Sequence, residues 1–237
     1  MPEWFEEWFK DEYLELYPHR DDREADQLVA LLQEVLPWRT GWRILDVACG
    51  GGRHLAALVR HGGAPIGLDL SGSLLRRARQ HTGCPLVRAD MRRLPVRERS
   101  MDLTLNLFTS FGYFATDAEH DAALAEMLAT VRPGGWFVID FLQADQVRAG
   151  LVAREATRLG AHEATVQRRI TPDGRMVEKT ILLSDGRQFA ERVRLLSQGE
   201  LEQMIVAHGA EVASRYGSYD GGPIGSGSRV ILVARVH

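Results

Sequence analysis

Cysteine and lysine are both scarce in this chain of 237 residues. Cys49 and Cys84 are its only cysteines, and they show neither paired spacing nor a metal-binding pattern. A disulfide framework and a zinc site are therefore both excluded from the expectation. The only lysines are Lys10 and Lys179. A Tyr-x-x-x-Lys catalytic pair therefore cannot lie anywhere between them. His54, His61, His120 and His162 have no ligand spacing, so no metal is expected. The net charge of −3 offers no basic field to nucleic acid. No apolar run is long enough to span a bilayer, and no cationic leader precedes an apolar core, so a cytoplasmic protein without membrane contact is expected. Repeats, low-complexity segments and interdomain linkers are also absent. What remains is an ordinary composition, 45% hydrophobic and 26% charged, at a length that suits one α/β domain with a sizeable core.

The informative stretch is Ile44–Leu55. An apolar run (Ile44, Leu45, Val47) carries Asp46 near its end, Gly50-Gly51-Gly52 follow, and a helical pattern starts at Leu55. Strand, glycine turn and helix let backbone N–H groups approach a ligand closely. A carboxylate beside such a loop suits a ligand with a positive group, whereas a pyrophosphate loop favours Gly-x-Gly-x-x-Gly and keeps carboxylates away. Residues 65–70 and 85–90 read as further strands ending in Asp69 and Asp90, and 101–107 as a fourth. Asp69 lies at about the distance past the loop where a βαβ unit places a ribose-binding acid. In an open α/β sheet, strand ends line one crevice.

Taken in order, the motifs Leu45-Asp46-Val47-Ala48-Cys49-Gly50-Gly51-Gly52-Arg53-His54, Gly67-Leu68-Asp69-Leu70-Ser71, Ala89-Asp90-Met91 and Arg132-Pro133-Gly134-Gly135 resemble those of class I S-adenosylmethionine-dependent methyltransferases. Ala48 stands where that family usually has its first glycine. Within the family, the chain is similar to glycine N-methyltransferase and amino-sugar N,N-dimethyltransferases. The resemblance implies an α/β, Rossmann-like, mostly parallel seven-stranded sheet with an antiparallel last strand and helices on both faces. It also implies S-adenosyl-L-methionine as cofactor and methyl transfer to N or O of a small-molecule acceptor.

Three regions are expected. Residues 1–39 form an N-terminal helical lid, with an aromatic stripe (Trp4, Phe5, Trp8, Phe9) and a second helical pattern over 26–36 ended by Pro37. Tyr13, Tyr17, His19 and Arg20 are its polar candidates to face a pocket. Residues 40–142 and 197–237 form the cofactor-binding core. Residues 143–196 form a small antiparallel insert after the fifth strand, read as strands 162–170, 175–184 and 187–196 around two Asp-Gly turns. The insert is a cap over the crevice or a dimerisation arm, and the protein a monomer or homodimer. Thr116 with Glu119 and Ser197 with Glu200 predict capping boxes.

By the resemblance, Ala48, Gly50 and Gly52 bring the backbone to the methionine part of the cofactor, and Asp46 organises the loop and the ammonium. Asp69 accepts both ribose hydroxyls; its plainer reading is a helix cap. Leu70 packs on the adenine, Asp90 accepts its amine or simply closes a turn, and Met91 offers its N–H. Asn106, Leu107 and Phe108 flank the methyl donor. Tyr113 orients the acceptor or takes its proton, or is core packing. Tyr17, Arg194 and Tyr216, with Arg192 and Tyr219, are candidates for the acceptor. Neither an Asn/Asp-Pro-Pro-Tyr run nor a Pro-Cys pair is present, which argues against nucleic-acid bases as acceptors. A non-catalytic cofactor-binding regulator and a nicotinamide-dependent oxidoreductase are the rival readings.

Overall fold

Strands buried on both faces must be apolar almost throughout, and the central strands here are. In the computed structural model, which describes residues 3–17 and 22–237, β1 (Arg43–Val47) leads through the glycine loop to α4 (Arg53–Arg60) and β2 (Ala64–Asp69). Before it come α1 (Trp4–Trp8), α2 (Asp11–Leu16) and α3 (Asp22–Val35). After it come α5 (Gly72–His81), β3 (Leu86–Arg88), β4 (Met101–Asn106), α6 (Asp117–Thr130) and β5 (Val131–Leu142). Next are α7 (Ala144–Ala149) and four strands, β6 (Arg154–Leu159), β7 (His162–Ile170), β8 (Met176–Leu183) and β9 (Gln188–Arg194). The chain ends with α8 (Gln198–Ala207), β10 (Ala210–Tyr216) and β11 (Arg229–Val236).

The main sheet has the order β10-β11-β5-β4-β1-β2-β3. Only β11 opposes its neighbours, pairing antiparallel with both β5 and β10, as expected for the last strand. Alternation along each strand divides the core into two layers. Leu45, Val47, Phe137, Ile139 and Leu232 pack with residues of α6 and α8. Ile44, Leu103, Leu105, Val138 and Ile231 pack against α3 and α4. Both capping boxes form, Thr116 with Glu119 and Ser197 with Glu200.

Some elements differ from the sequence reading. The insert has four strands, β6-β7-β8-β9. Its first, Arg-Glu-Ala-Thr-Arg-Leu, carries charge on both faces and escapes the alternation signal; such strands survive at sheet edges. The aromatic stripe near the N-terminus breaks into two short helices between Trp8 and Asp11. These do not pack as one unit with α3. Trp8, Tyr13 and Leu16 pack against the insert, whereas Leu28, Val29 and Leu32 of α3 sit in the core layer against β1 and β4. None of the helices in the described residues is long and apolar enough to cross a membrane.

Gly67 sits on β2 where a side chain has no room. A Cβ there would lie 2.5 Å from Leu55 Cδ1 and 2.8 Å from both Cys49 Sγ and Leu86 Cδ2. Overpacking of this kind costs about 1–3 kcal/mol. Gly67→Ala should therefore lower the urea midpoint with an unchanged slope. Gly83→Ala, where nothing lies within 4 Å, should leave the midpoint within about 0.5 kcal/mol of wild type.

Candidate active site

The C-terminal ends of β1, β2 and β4 open into a cavity of about 1190 Å³. Its floor is the loop after β1. Ala48, Gly50 and Gly52 are left-handed there, with φ of 61°, 56° and 87°. Glycine adopts this region freely, whereas alanine pays about 1–2 kcal/mol, so the loop holds Ala48 against its preference. The two glycines serve different ends. A Cβ on Gly52 would meet Ala78 at 3.0 Å and Thr82 at 3.1 Å, so Gly52 lets α4 pack against α5. A Cβ on Gly50 would meet nothing within 4 Å, so that surface is open to a ligand.

Asp69, at the end of β2, ties this floor together. Its Oδ2 accepts the Gly50 N–H and its Oδ1 the Ser71 N–H, both at 2.8 Å. The Ser71 hydroxyl accepts the Leu74 N–H at the start of α5, so the cap of this helix is Ser71 and not Asp69. Asp46 lies behind the loop with Oδ2 buried and without a hydrogen-bond partner. Burial first, and then the charge of Asp69, push the Asp46 carboxyl up to about 8. Burial pushes Asp69 up to about 6 against its backbone hydrogen bonds. A cation in front of the pair would relieve both, because each acid is held partly protonated for want of positive charge. His54 stays neutral, pushed down to about 3 by burial and by Arg53 and Arg229.

The remaining walls come from distant parts of the chain. Leu70, Asp90 and Met91 line one end. Despite partial burial, Arg92 holds the Asp90 carboxyl below its usual range; it grips both oxygens and reaches Glu3 and Glu119 as well. Leu107, Phe108, Thr109, Ser110 and Tyr113 form another wall. Phe108 and Thr109 are both left-handed, at φ 58° and 60°, which is a strained state for an aromatic and a β-branched residue. The fully buried Asp140 holds them. Its carboxylate accepts the Phe108 N–H at 2.9 Å, the Tyr219 hydroxyl at 2.8 Å and the Arg229 Nε–H. Its backbone carbonyl accepts the Thr109 N–H at 2.8 Å. Arg53 and Arg229 stack on Phe108 at 4.2 and 5.2 Å. The Tyr113 hydroxyl donates to the Thr109 carbonyl at 2.6 Å, and its ring meets Trp4 and Phe9 of the N-terminal segment at 5.2 and 5.6 Å. The insert supplies the ceiling, including Arg168, Lys179 and Glu191.

Ala48, Gly50, Gly52, Asp69, Leu70, Asp90, Met91, Leu107, Phe108, Tyr113, Tyr13 and Tyr17 all line this cavity. Others expected there do not. Asn106 is fully buried and donates to the Val47 carbonyl at 3.2 Å, bracing β4 against β1. Arg194 is buried between Asp117 and Glu200, at 3.1 and 2.9 Å, so its charge is spent within the protein. Tyr216 packs against the α3–α4 core layer. Tyr219 is engaged by Asp140, and Arg192 pairs with Glu178 on the outer face of the insert. His19 and Arg20 lie outside the described residues. Sequence reasoning missed Asp140, Arg229 and the ceiling charges. The first two carry no local signal; the last do, as charges within the alternating strands 175–184 and 187–196.

Residues 44–135 match the model of a methyltransferase domain family. The chain is 31% identical over 218 residues to the dTDP-3-amino-3,6-dideoxy-alpha-D-glucopyranose N,N-dimethyltransferase of Streptomyces fradiae, spanning 86% of this chain and 82% of the relative. It is 30% identical over 217 residues to the dTDP-3-amino-3,4,6-trideoxy-alpha-D-glucopyranose N,N-dimethyltransferase of Streptomyces venezuelae, spanning 86% and 87%. Its fold is similar to a crystal structure of an S-adenosylmethionine-dependent methyltransferase from Clostridium acetobutylicum, with a TM-score of 0.81 at 16% identity, covering 95% of this chain and 98% of that one. The chain belongs to the S-adenosylmethionine-dependent methyltransferases, enzymes for which S-adenosyl-L-methionine is the methyl donor and a small molecule the acceptor.

Proposed function

We propose that this enzyme methylates the amino nitrogen of a small amino sugar. The similarity over more than four-fifths of its length to two amino-sugar N,N-dimethyltransferases supports the acceptor class. The observation that carries the donor side is the pair of buried acids, Asp46 and Asp69, under an open glycine loop. The unpartnered Oδ2 of Asp46 and the free surface over Gly50 fit the ammonium end of S-adenosylmethionine.

In this reading Ala48, Gly50 and Gly52 shape the seat of the methionine part, and Asp46 supplies negative charge from behind it. Asp69 accepts the ribose hydroxyls while still holding Gly50. Leu70 and Met91 cover the adenine, and Asp90, positioned by Arg92, accepts its amine. Asn106 acts indirectly by bracing β4, which sets Leu107 and Phe108 beside the reacting carbon. When bound, the sulfonium supplies an already activated methyl carbon, so the protein's work is mainly alignment. Tyr113 spends its proton on Thr109, which leaves the phenolic oxygen free to accept an amine N–H and turn the nitrogen lone pair inward. We assign the lid to α1 and α2 and the acceptor cap to the insert, with α3 part of the core. The two free cysteines fit a reducing cytoplasm.

Incubation with S-adenosylmethionine and dTDP-3-amino-3,6-dideoxyglucose should give an N-methylated product by mass spectrometry. Turnover of a hydroxyl in its place, or of neither, would reject the amino-sugar assignment. Loss of hydrogen bonds to a carboxylate costs about 1.5–3 kcal/mol each, so Asp69→Ala should weaken S-adenosylhomocysteine by about a hundredfold or more in calorimetry.

The acids also set a pH dependence. Both pKa values are raised in the ligand-free protein, so the stability these groups confer is fullest below about pH 4 and is lost as pH rises through about 6 and then about 8. Binding of a cation reverses the preference. S-adenosylmethionine affinity should rise over that same window, with proton release visible in buffers of different ionisation heat. Asp69→Asn should remove the step near pH 6. An affinity that is flat with pH would contradict the roles given to both acids.

A further inference from the structure

The inward face of the insert sheet changes character along its length. Side chains alternate between faces, and the register fixes successive rungs across β7, β8 and β9. One rung is Val166–Ile181–Phe189, and another is Ile170–Val177–Val193. Both are apolar. Between them lies a single charged rung, Arg168–Lys179–Glu191. The first apolar rung is covered by α1 and α2, and the charged rung lines the cavity. Its side chains are 28%, 21% and 21% exposed.

Half-buried charges between apolar rungs are costly unless polar partners meet them. Solubility does not require them, because the outer face has its own charges in Arg169, Glu178 and Arg192. Internal contacts fix their geometry. Lys179 Nζ donates to Tyr17 Oη at 2.8 Å and to Glu191 Oε2 at 3.1 Å. The Trp8 indole N–H donates to Glu191 Oε1 at 2.9 Å. Arg168 donates to Glu155 at 2.9 Å. The rung therefore presents held donors and a held acceptor side by side, next to the aromatic rings of Phe9, Tyr13 and Tyr17.

We propose that the Arg168–Lys179–Glu191 rung is the sugar-recognition site of the acceptor. Arg168 and Lys179 donate to hydroxyl oxygens of a pyranose ring, Glu191 accepts from a hydroxyl, and the neighbouring aromatic rings cover the ring's apolar face. The signs of the charges select this ligand. A bare anion would be repelled by Glu191 and a bare cation by Arg168 and Lys179, whereas a hydroxyl both donates and accepts and so satisfies both signs. The assignment rests on the amino-sugar reading above.

The test is calorimetry on protein saturated with S-adenosylhomocysteine, titrated with dTDP-3-amino-3,6-dideoxyglucose and, separately, with dTDP. Lys179→Met and the isosteric Glu191→Gln should each weaken the sugar nucleotide by about tenfold or more. They should leave dTDP and S-adenosylhomocysteine affinities unchanged and melting temperatures close to wild type. Equal weakening of dTDP would mean that the rung reads the phosphates, and unchanged sugar affinity that it reads nothing; either result overturns the proposal while leaving the amino-sugar reading intact. Wild-type protein that neither binds nor methylates the sugar nucleotide would overturn the amino-sugar reading, and this proposal with it.

Discussion

One carboxylate sets the geometry on which the site depends. Asp69 sits almost fully buried at the end of a buried strand, and its two oxygens reach in different directions. One holds the glycine loop through Gly50, and the other holds the turn into α5 through Ser71. Without it, the backbone N–H groups of these two connections would face an apolar interior with no acceptor. Burial raises the cost of the charge, and Asp46 behind the loop raises it further. The floor is thus folded around an electrostatic debt that a positive ligand relieves. Folding and ligand choice follow from the same pair of acids.

The bonds that leave this floor reach every other wall. The Ser71 hydroxyl, which caps α5, donates to the Phe9 carbonyl and so fastens the N-terminal segment to the floor. Trp4 reaches the Tyr113 carbonyl at 3.2 Å, Trp8 reaches Glu191 in the ceiling, and Arg92 binds Glu3 beside Asp90. Four contacts from about nine residues therefore touch the floor, the post-β4 wall, the insert and the Asp90 turn. A segment held this way cannot shift without loosening all four together, which is the mechanical property a lid requires. Asp140 does comparable work on the opposite side. It binds the strained Phe108–Thr109 pair and, through Thr109, sets where the Tyr113 hydroxyl points.

What could be read in advance was what short-range chemistry encodes. The strand, glycine turn and helix at 44–60, the two capping boxes and the Asp-Gly hairpins each depend on residues a few positions apart. All of them form as the sequence indicates. The cavity-facing positions Asp69, Asp90 and Phe108 were legible because they end strands of a sheet whose topology follows from that pattern. Arg194 was misleading for the complementary reason. It looked available beside Leu195-Leu196, yet its partners are Asp117, far away in sequence, and a glutamate already engaged in a capping box. Asp140 was illegible, since its task becomes visible only when β11 brings Arg229 beside it. Strand β6 lacked any alternation because, as an edge strand, it buries little.

The distribution of charge in the cavity gives the two substrates different addresses. The floor is acidic, buried and short of cations, a setting that favours a positively charged molecule and penalises an anionic or neutral one. The ceiling mixes both signs in one rung and holds them with internal bonds, so a net charge of either sign gains little there, while a group that donates and accepts gains on both counts. Between them the aromatic rings of Trp4, Phe9 and Tyr113 pack edge to face or tilted against one another and supply a water-poor layer. A methyl acceptor needs a neutral nitrogen at the moment of attack. An apolar layer between two polar surfaces favours the uncharged amine over the ammonium ion in the one place where that difference decides the rate.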